Sequence, residues 1–176
     1  MTPDQATFLL NTYLGTMKHE SRITRSVLLA VPGDRLDYRP DPHAKTAIEL
    51  ARHIANADNR FVETVVAGAF DPSPAIPDTV RAPADLAAWY DARYAGNLAA
   101  LESASPDQLV KVVDFRGLFQ RPAISFLMLG LHHTIHHRGQ LSSYLRSMGG
   151  RVPAIYGESY DTAEAKRAAS ATVTHA

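Results

Sequence analysis

The sequence predicts an all-α fold, a four-helix bundle whose helices are joined by long links. Three observations carry this expectation. Apolar residues recur at spacings of three and four over four long segments, the period of a helix that buries one face. Capping signatures, first-turn prolines and glycine stops punctuate those segments where helices should begin and end. Only one passage, "LVKVVDFRGLFQRP" from Leu109 to Pro122, is strand-like.

The first helix should open at Thr2, an N-cap residue followed by Pro3 at the first helical position and by Gln5 to complete a capping box. Leu10, Tyr13, Leu14, Met17, Val27 and Leu28 continue its apolar stripe until Val31-Pro32-Gly33 stops it. A second helix should run from about Thr46 to Ala67 and end at Gly68, burying Ala47, Leu50, Ile54, Ala57, Phe61 and Val65. Four prolines make "FDPSPAIPDTVRAP", Phe70 to Pro83, an irregular crossover or a cap on the bundle. Leu86, Tyr90, Tyr94, Asn97, Leu98 and Leu101 mark a third helix, and Ser105-Pro106-Asp107-Gln108 repeats the capping signature for a short extra turn. The fourth helix should begin near Pro122 and continue to Gly149-Gly150. The last fifteen residues, rich in Ala and Thr, are expected to be a frayed tail of this single domain.

Composition excludes several function classes. With 176 residues, 45% hydrophobic and 20% charged, the chain suits one globular domain with a sizeable core. Lys+Arg and Asp+Glu are both 18, so no electrostatic footprint for nucleic acid or an anionic membrane is expected. The absence of cysteine rules out disulfides, thiolate nucleophiles and thiolate metal sites, so any metal must be held by nitrogen and oxygen. With no leader-like N-terminus and no run of eighteen apolar residues, the expected location is cytoplasmic.

The chemistry concentrates in "LGLHHTIHHRGQLSSYL", Leu129 to Leu145, which holds His132, His133, His136 and His137. On a helix these sort into faces. Ser125, His132, His136, Ser143 and Ser147 share a small, polar stripe that should meet solvent. Phe126, Gly130, His133, His137, Leu141 and Tyr144 share a largely apolar one, so His133 and His137 should point inward. Two histidines at i and i+4 project from one side of a helix about a turn apart and can reach a single ion. The one histidine of the second helix, His53, sits on the shoulder of its buried stripe and could supply a third nitrogen. Glu49, a turn earlier, could serve as an outer partner, whereas Asp58 lies on the opposite shoulder. Spacing alone leaves open whether these are ligands or hydrogen-bonded core histidines.

The residues "HTIHHRGQL", with His133, His137, Arg138, Gly139 and Gln140, resemble the signature of the DinB-like superfamily, metal-binding bundles of the DinB/YfiT type. "VPGDRLDYRPDPHAKTAIELARHIANADNRF" is similar to that family's approach to its second helix, and "GGRVPAIYGESYD" to its ending, so the likeness covers nearly the whole chain. The resemblance implies a metal held by one histidine of the second helix and two of the fourth, here His53, His133 and His137. It departs at Glu158, where many relatives have proline after "IYG", which bears on the mouth of a pocket and not on the ligands. Some relatives transfer a low-molecular-weight thiol to small electrophiles.

The expected cofactor is therefore a divalent ion, zinc, nickel or iron, with positions left open to substrate as in a catalytic site. Three functions compete. In a metal-dependent thiol transferase the thiol would arrive as a cosubstrate, with Arg138 or Tyr144 orienting carbonyl or anionic groups. In a metal-dependent hydrolase Glu49 would be the general base. In a non-catalytic bundle the site would only bind metal or a small ligand. A further stripe on the fourth helix, Ile124, Leu127, Leu131, Ile135 and Leu145, predicts a symmetric homodimer, and the resemblance implies the same.

Overall fold

The computed structural model describes residues 1–71 and 75–173. Helix α1 (Pro3–Leu29) opens with the expected reciprocal cap: Thr2 Oγ1 accepts from the Gln5 amide, and Gln5 Oε1 accepts from the Thr2 amide at 2.9 Å. Helix α2 (Ala47–Ala67) repeats the device between Thr46 and Glu49 and ends on Gly68, whose φ of 64° only glycine adopts readily. Each such cap contributes about 1 kcal/mol. Helix α3 (Pro83–Glu102) starts on its proline without a side-chain cap, and Ser105 caps the short α4 (Pro106–Val110).

The strand-like passage is an antiparallel hairpin of β1 (Val112–Asp114) and β2 (Gln120–Pro122), with Val113 opposite Arg121. Arg116 and Gly117 turn it at positive φ, and Asp114 accepts the Gly117 amide at 2.7 Å. Helix α5 (Ser125–Ser147) begins three residues later than the periodicity predicts. Pro122 belongs to β2, and the next two amides donate to Lys111 and Leu109 carbonyls instead of opening a helix. At the far end Gly149 adopts φ 74° and the Gly150 amide donates to Leu145, a glycine stop as expected.

The end of the chain differs from the expected frayed tail: Tyr160–Val173 form a further helix, α6. Its first turn is held from outside. Asp161 pairs with Arg146 of α5 at 2.7 Å and accepts the Val152 amide, and Ser159 and Thr162 bond to each other across the turn. Alanine-rich composition supports a helix once such anchors exist. Thr174 to Ala176 lie outside the described residues.

The long helices α1, α2, α3 and α5 form the bundle, each packed against two of the others: α2 lies between α3 and α5, and α1 closes the ring by touching both. Lys18–Glu102 and Arg25–Asp91 pair α1 with α3 in antiparallel order at the surface. The core is filled by Leu28, Ile54, Leu86, Tyr90, Phe126 and Leu141. The link after α2 packs back on the bundle: Arg52 donates to the carbonyls of Ile76 and Val80, Ile76 is buried, and Phe70 stacks among Phe61, Phe115 and Phe126. Pro72 to Pro74 of this link lie outside the described residues. Of the stripe that predicts a homodimer, Ile124, Leu127 and Leu145 are buried within the chain, leaving Leu131 and Ile135 half-covered. Among the described residues no helix is long and apolar enough to cross a membrane.

Candidate metal centre

One glycine sets the spacing of the two helices that carry the histidines. A Cβ built on Gly130 of α5 would lie 2.5 Å from Cβ of Phe61 on α2, so the backbones approach there as only glycine allows. One turn further along α5 this close approach delivers His133 and His137 to the flank of α2 that carries His53. The rings lie 4.4–4.9 Å apart between centroids. One nitrogen of each falls within 4.8 Å of the other two, and His53 Nε2 is 3.1 Å from His133 Nε2. Bonds of 2.0–2.1 Å in a tetrahedral site would place nitrogens about 3.3 Å apart. The donor set therefore fits a divalent ion after small ring adjustments.

Electrostatics suit the same task. Desolvation, reinforced by the neighbouring histidines, pushes His133 down to about 4, and burial with help from His137 and Lys45 also lowers His53. Both rings are thus neutral at pH 7, with a lone pair free to ligate. The Nδ1 of His137 bonds Gln140 Oε1 at 2.7 Å, which as an N–H donor fixes the ring with Nε2 toward the cluster. Among the described residues, His133 Nδ1 is buried without a partner. His132 and His136 are exposed, as their polar stripe predicts, although the His136 ring touches that of His137.

The other expected residues fare differently. Arg138 does not face the cluster: it is 1% exposed, turned toward α1, and its guanidinium donates to Glu20 Oε2 at 2.6 Å, Thr24 Oγ1, the Glu20 carbonyl and Tyr156 Oη. The structure thus places this residue, expected to orient substrate, in a buried anchor between α5 and α1. Tyr144 is on the His137 stripe but two turns further on, packed edge-on against Tyr38 at 5.8 Å. Glu49 lies one turn before His53, yet it is exposed, and its carboxylate accepts the Thr46 amide at 2.8 Å, which holds its pKa below the usual value. Beside His53 opens a depression of about 530 Å³ lined by Lys45, Glu49, Arg52, Asn56, Ile76 and Asp78. The opening is thus made by Lys45, α2 and the link that follows it.

Two further side chains bear on the site and its surroundings. Gln140 supports His137 from i+3, legible in principle because both lie on one stripe. Asp58 is buried between Tyr90 and Thr134, accepting from their hydroxyls at 2.6 and 2.9 Å, and desolvation raises its pKa to about 6. It belongs to the bundle interior and is absent from the histidine cluster, as its opposite shoulder predicts.

Replacing Gly130 with alanine is expected to lower stability by about 1–2 kcal/mol, since overpacking against Phe61 outweighs the gain in helix propensity. It should also weaken metal binding by separating the rings, which urea unfolding and chelator competition measure on the same sample.

The family model of the DinB superfamily matches residues 17–141. The YjoA protein of Bacillus subtilis (strain 168) is 27% identical over 129 residues, spanning 72% of this chain and 82% of that protein. The crystal structure of the DinB-like protein YjoA from Bacillus subtilis superposes with a TM-score of 0.65 at 22% identity, covering 85% of this chain and 97% of that one. That of a DinB-like protein from Bacillus cereus ATCC 10987 gives 0.67 at 25% identity, covering 82% and 95%.

Proposed function

The chain belongs to the DinB superfamily, and from that premise we propose that it binds a divalent zinc, nickel or iron ion through His53, His133 and His137 and transfers a low-molecular-weight thiol to a small electrophile. The observation that carries this reading is the convergence of three half-buried imidazoles beside an open depression. An ion bound there would act as a Lewis acid, lowering the pKa of a thiol. Since the chain has no cysteine, that thiol comes from solution.

The protein's own groups supply the rest. Burial keeps the His53 and His133 rings neutral, and Gln140 fixes that of His137. Lys45 makes no ion pair among the described residues and draws anionic cosubstrates to the depression. Arg52 is committed to the link carbonyls. Sulfur bonds to the electrophilic carbon as the leaving group departs, and the thiol proton passes to water in the open depression. A hydrolase would need a base, and Glu49 is a poor one, because the cap at Thr46 stabilises its ionised form. Arg138 and Tyr144, turned to other partners, take no part in the proposed reaction.

A cobalt-substituted sample should change its visible spectrum when a low-molecular-weight thiol is added. An unchanged spectrum at saturating thiol sinks the transferase reading and leaves metal binding alone. A cytoplasmic location and a symmetric homodimer remain part of the proposal, the latter resting on the half-covered Leu131 and Ile135.

A further inference from the structure

A second cavity, of about 400 Å³, lies between the hairpin and the outer face of α5, lined by Phe119, Arg121, Ser125, Phe126, Met128, Leu129 and His132. Ser125, Met128 and Leu129 fall close to the stripe of His132, about 100° around the helix from His133, and only Phe126 at the floor of the cavity belongs to the His133 stripe, so the cavity opens on a different side from the three inward histidines. Its volume is that of a small-molecule site. Four of its residues are large and apolar. The polar ones are a cation, a hydroxyl and an imidazole, with no carboxylate among them. Arg121 makes no ion pair among the described residues and rests over the Phe119 ring at 5.8 Å. Ser125 is the first residue of α5, which has neither a side-chain cap nor an acidic residue in its first turn. The positive end of a 23-residue helix therefore borders the cavity with no carboxylate beside it, although the amides of Phe126 and Leu127 already donate to the carbonyls of Ala123 and Ile124.

We infer that this cavity binds a small apolar monoanion, an aryl or medium-chain acyl carboxylate. Its hydrocarbon would pack on Phe119, Phe126, Met128 and Leu129, and its carboxylate would face Arg121 and the start of α5. The guanidinium offers a fork of donors that matches two carboxylate oxygens, while Ser125 and His132 can each donate one more hydrogen bond. Apolar walls alone would accept any hydrocarbon. The Arg121 cation, in a lining that holds no carboxylate, selects the anion.

The test titrates the full chain, metal-stripped and metal-loaded, with 4-phenylbutyrate and octanoate by calorimetry, and with the corresponding amides. Amide-resolved NMR locates the site. Saturable binding of a carboxylate in both metal states is expected, with shifts at Phe119, Arg121, Ser125 and Leu129 and at least tenfold weaker binding of its amide. Arg121→Gln should cost at least tenfold and Arg121→Lys less. Ser125→Asp adds the acid that the first turn lacks, which favours the helix end while repelling a carboxylate, so its loss of binding could not be ascribed to unfolding. Equal affinity for acid and amide, full affinity in Ser125→Asp, no saturation at millimolar concentration, or shifts confined to His53, His133 and His137 would each overturn the inference.

Discussion

His133→Ala is expected to weaken metal binding by on the order of 100-fold or more. Loss of an outer-shell partner alone typically costs 10–100-fold in affinity, and His133 is at the middle of the cluster, with a nitrogen 3.1 Å from that of His53 and a ring within 4.4 Å of His137. His53→Ala and His137→Ala should behave alike, while His132→Ala and His136→Ala should retain metal because those rings face solvent. Chelator competition on the five variants, with metal content measured in parallel, checks this. A comparable loss from either exposed histidine would show that the cluster is not the site. The same substitution should alter acid sensitivity in metal-stripped protein. The folded pKa of His133, about 4, lies below its value of 6.5 in a free chain, so the unfolded state takes up the proton first. Its contribution is present above pH 6.5 and lost as pH falls from 6.5 toward 4. His133→Ala should flatten the stability profile over that window.

The second large effect concerns the interior. Arg138→Ala is expected to lower unfolding stability by about 3–5 kcal/mol, because it leaves Glu20 nearly buried without its partner. The guanidinium and the Glu20 carboxylate are 1% and 11% exposed, too little for water to screen the loss. Replacing both members with apolar residues of similar volume, Arg138→Met with Glu20→Leu, should recover most of that loss. Urea unfolding gives the free energies, and chelator competition on the variants that remain folded should show metal affinity unchanged. A penalty under 1 kcal/mol, or a selective loss of metal in folded protein, would contradict the assignment of Arg138 as a structural anchor.

The periodicity of three and four, with its caps, was enough to place the long helices and their order, because backbone hydrogen bonding and one buried face are local properties of the chain. The same local logic separated His133 and His137 from His132 and His136: neighbours on one helix differ in direction by a fixed angle. His53 was legible as the one histidine on a buried shoulder of α2. Local signals failed where partners are distant in sequence. The hairpin holds back the start of α5 by taking the amides of Ala123 and Ile124, and α6 forms because Arg146 and Val152 grip Asp161.

Arg138 shows the limit most clearly. Beside His137 in the sequence, it looks like part of the site, but it points 100° away, and only the packing of α1 against α5 reveals that Glu20 and Thr24 are waiting for it. Glu49 likewise has the right spacing to assist His53 and is instead spent on the Thr46 amide. What the sequence by itself determined is which side chains lie on which face of which helix, since that follows from 3.6 residues per turn. What only the tertiary structure decided is which faces meet, through the Gly130–Phe61 contact that brings α2 and α5 together and sets the distances on which any ligation depends.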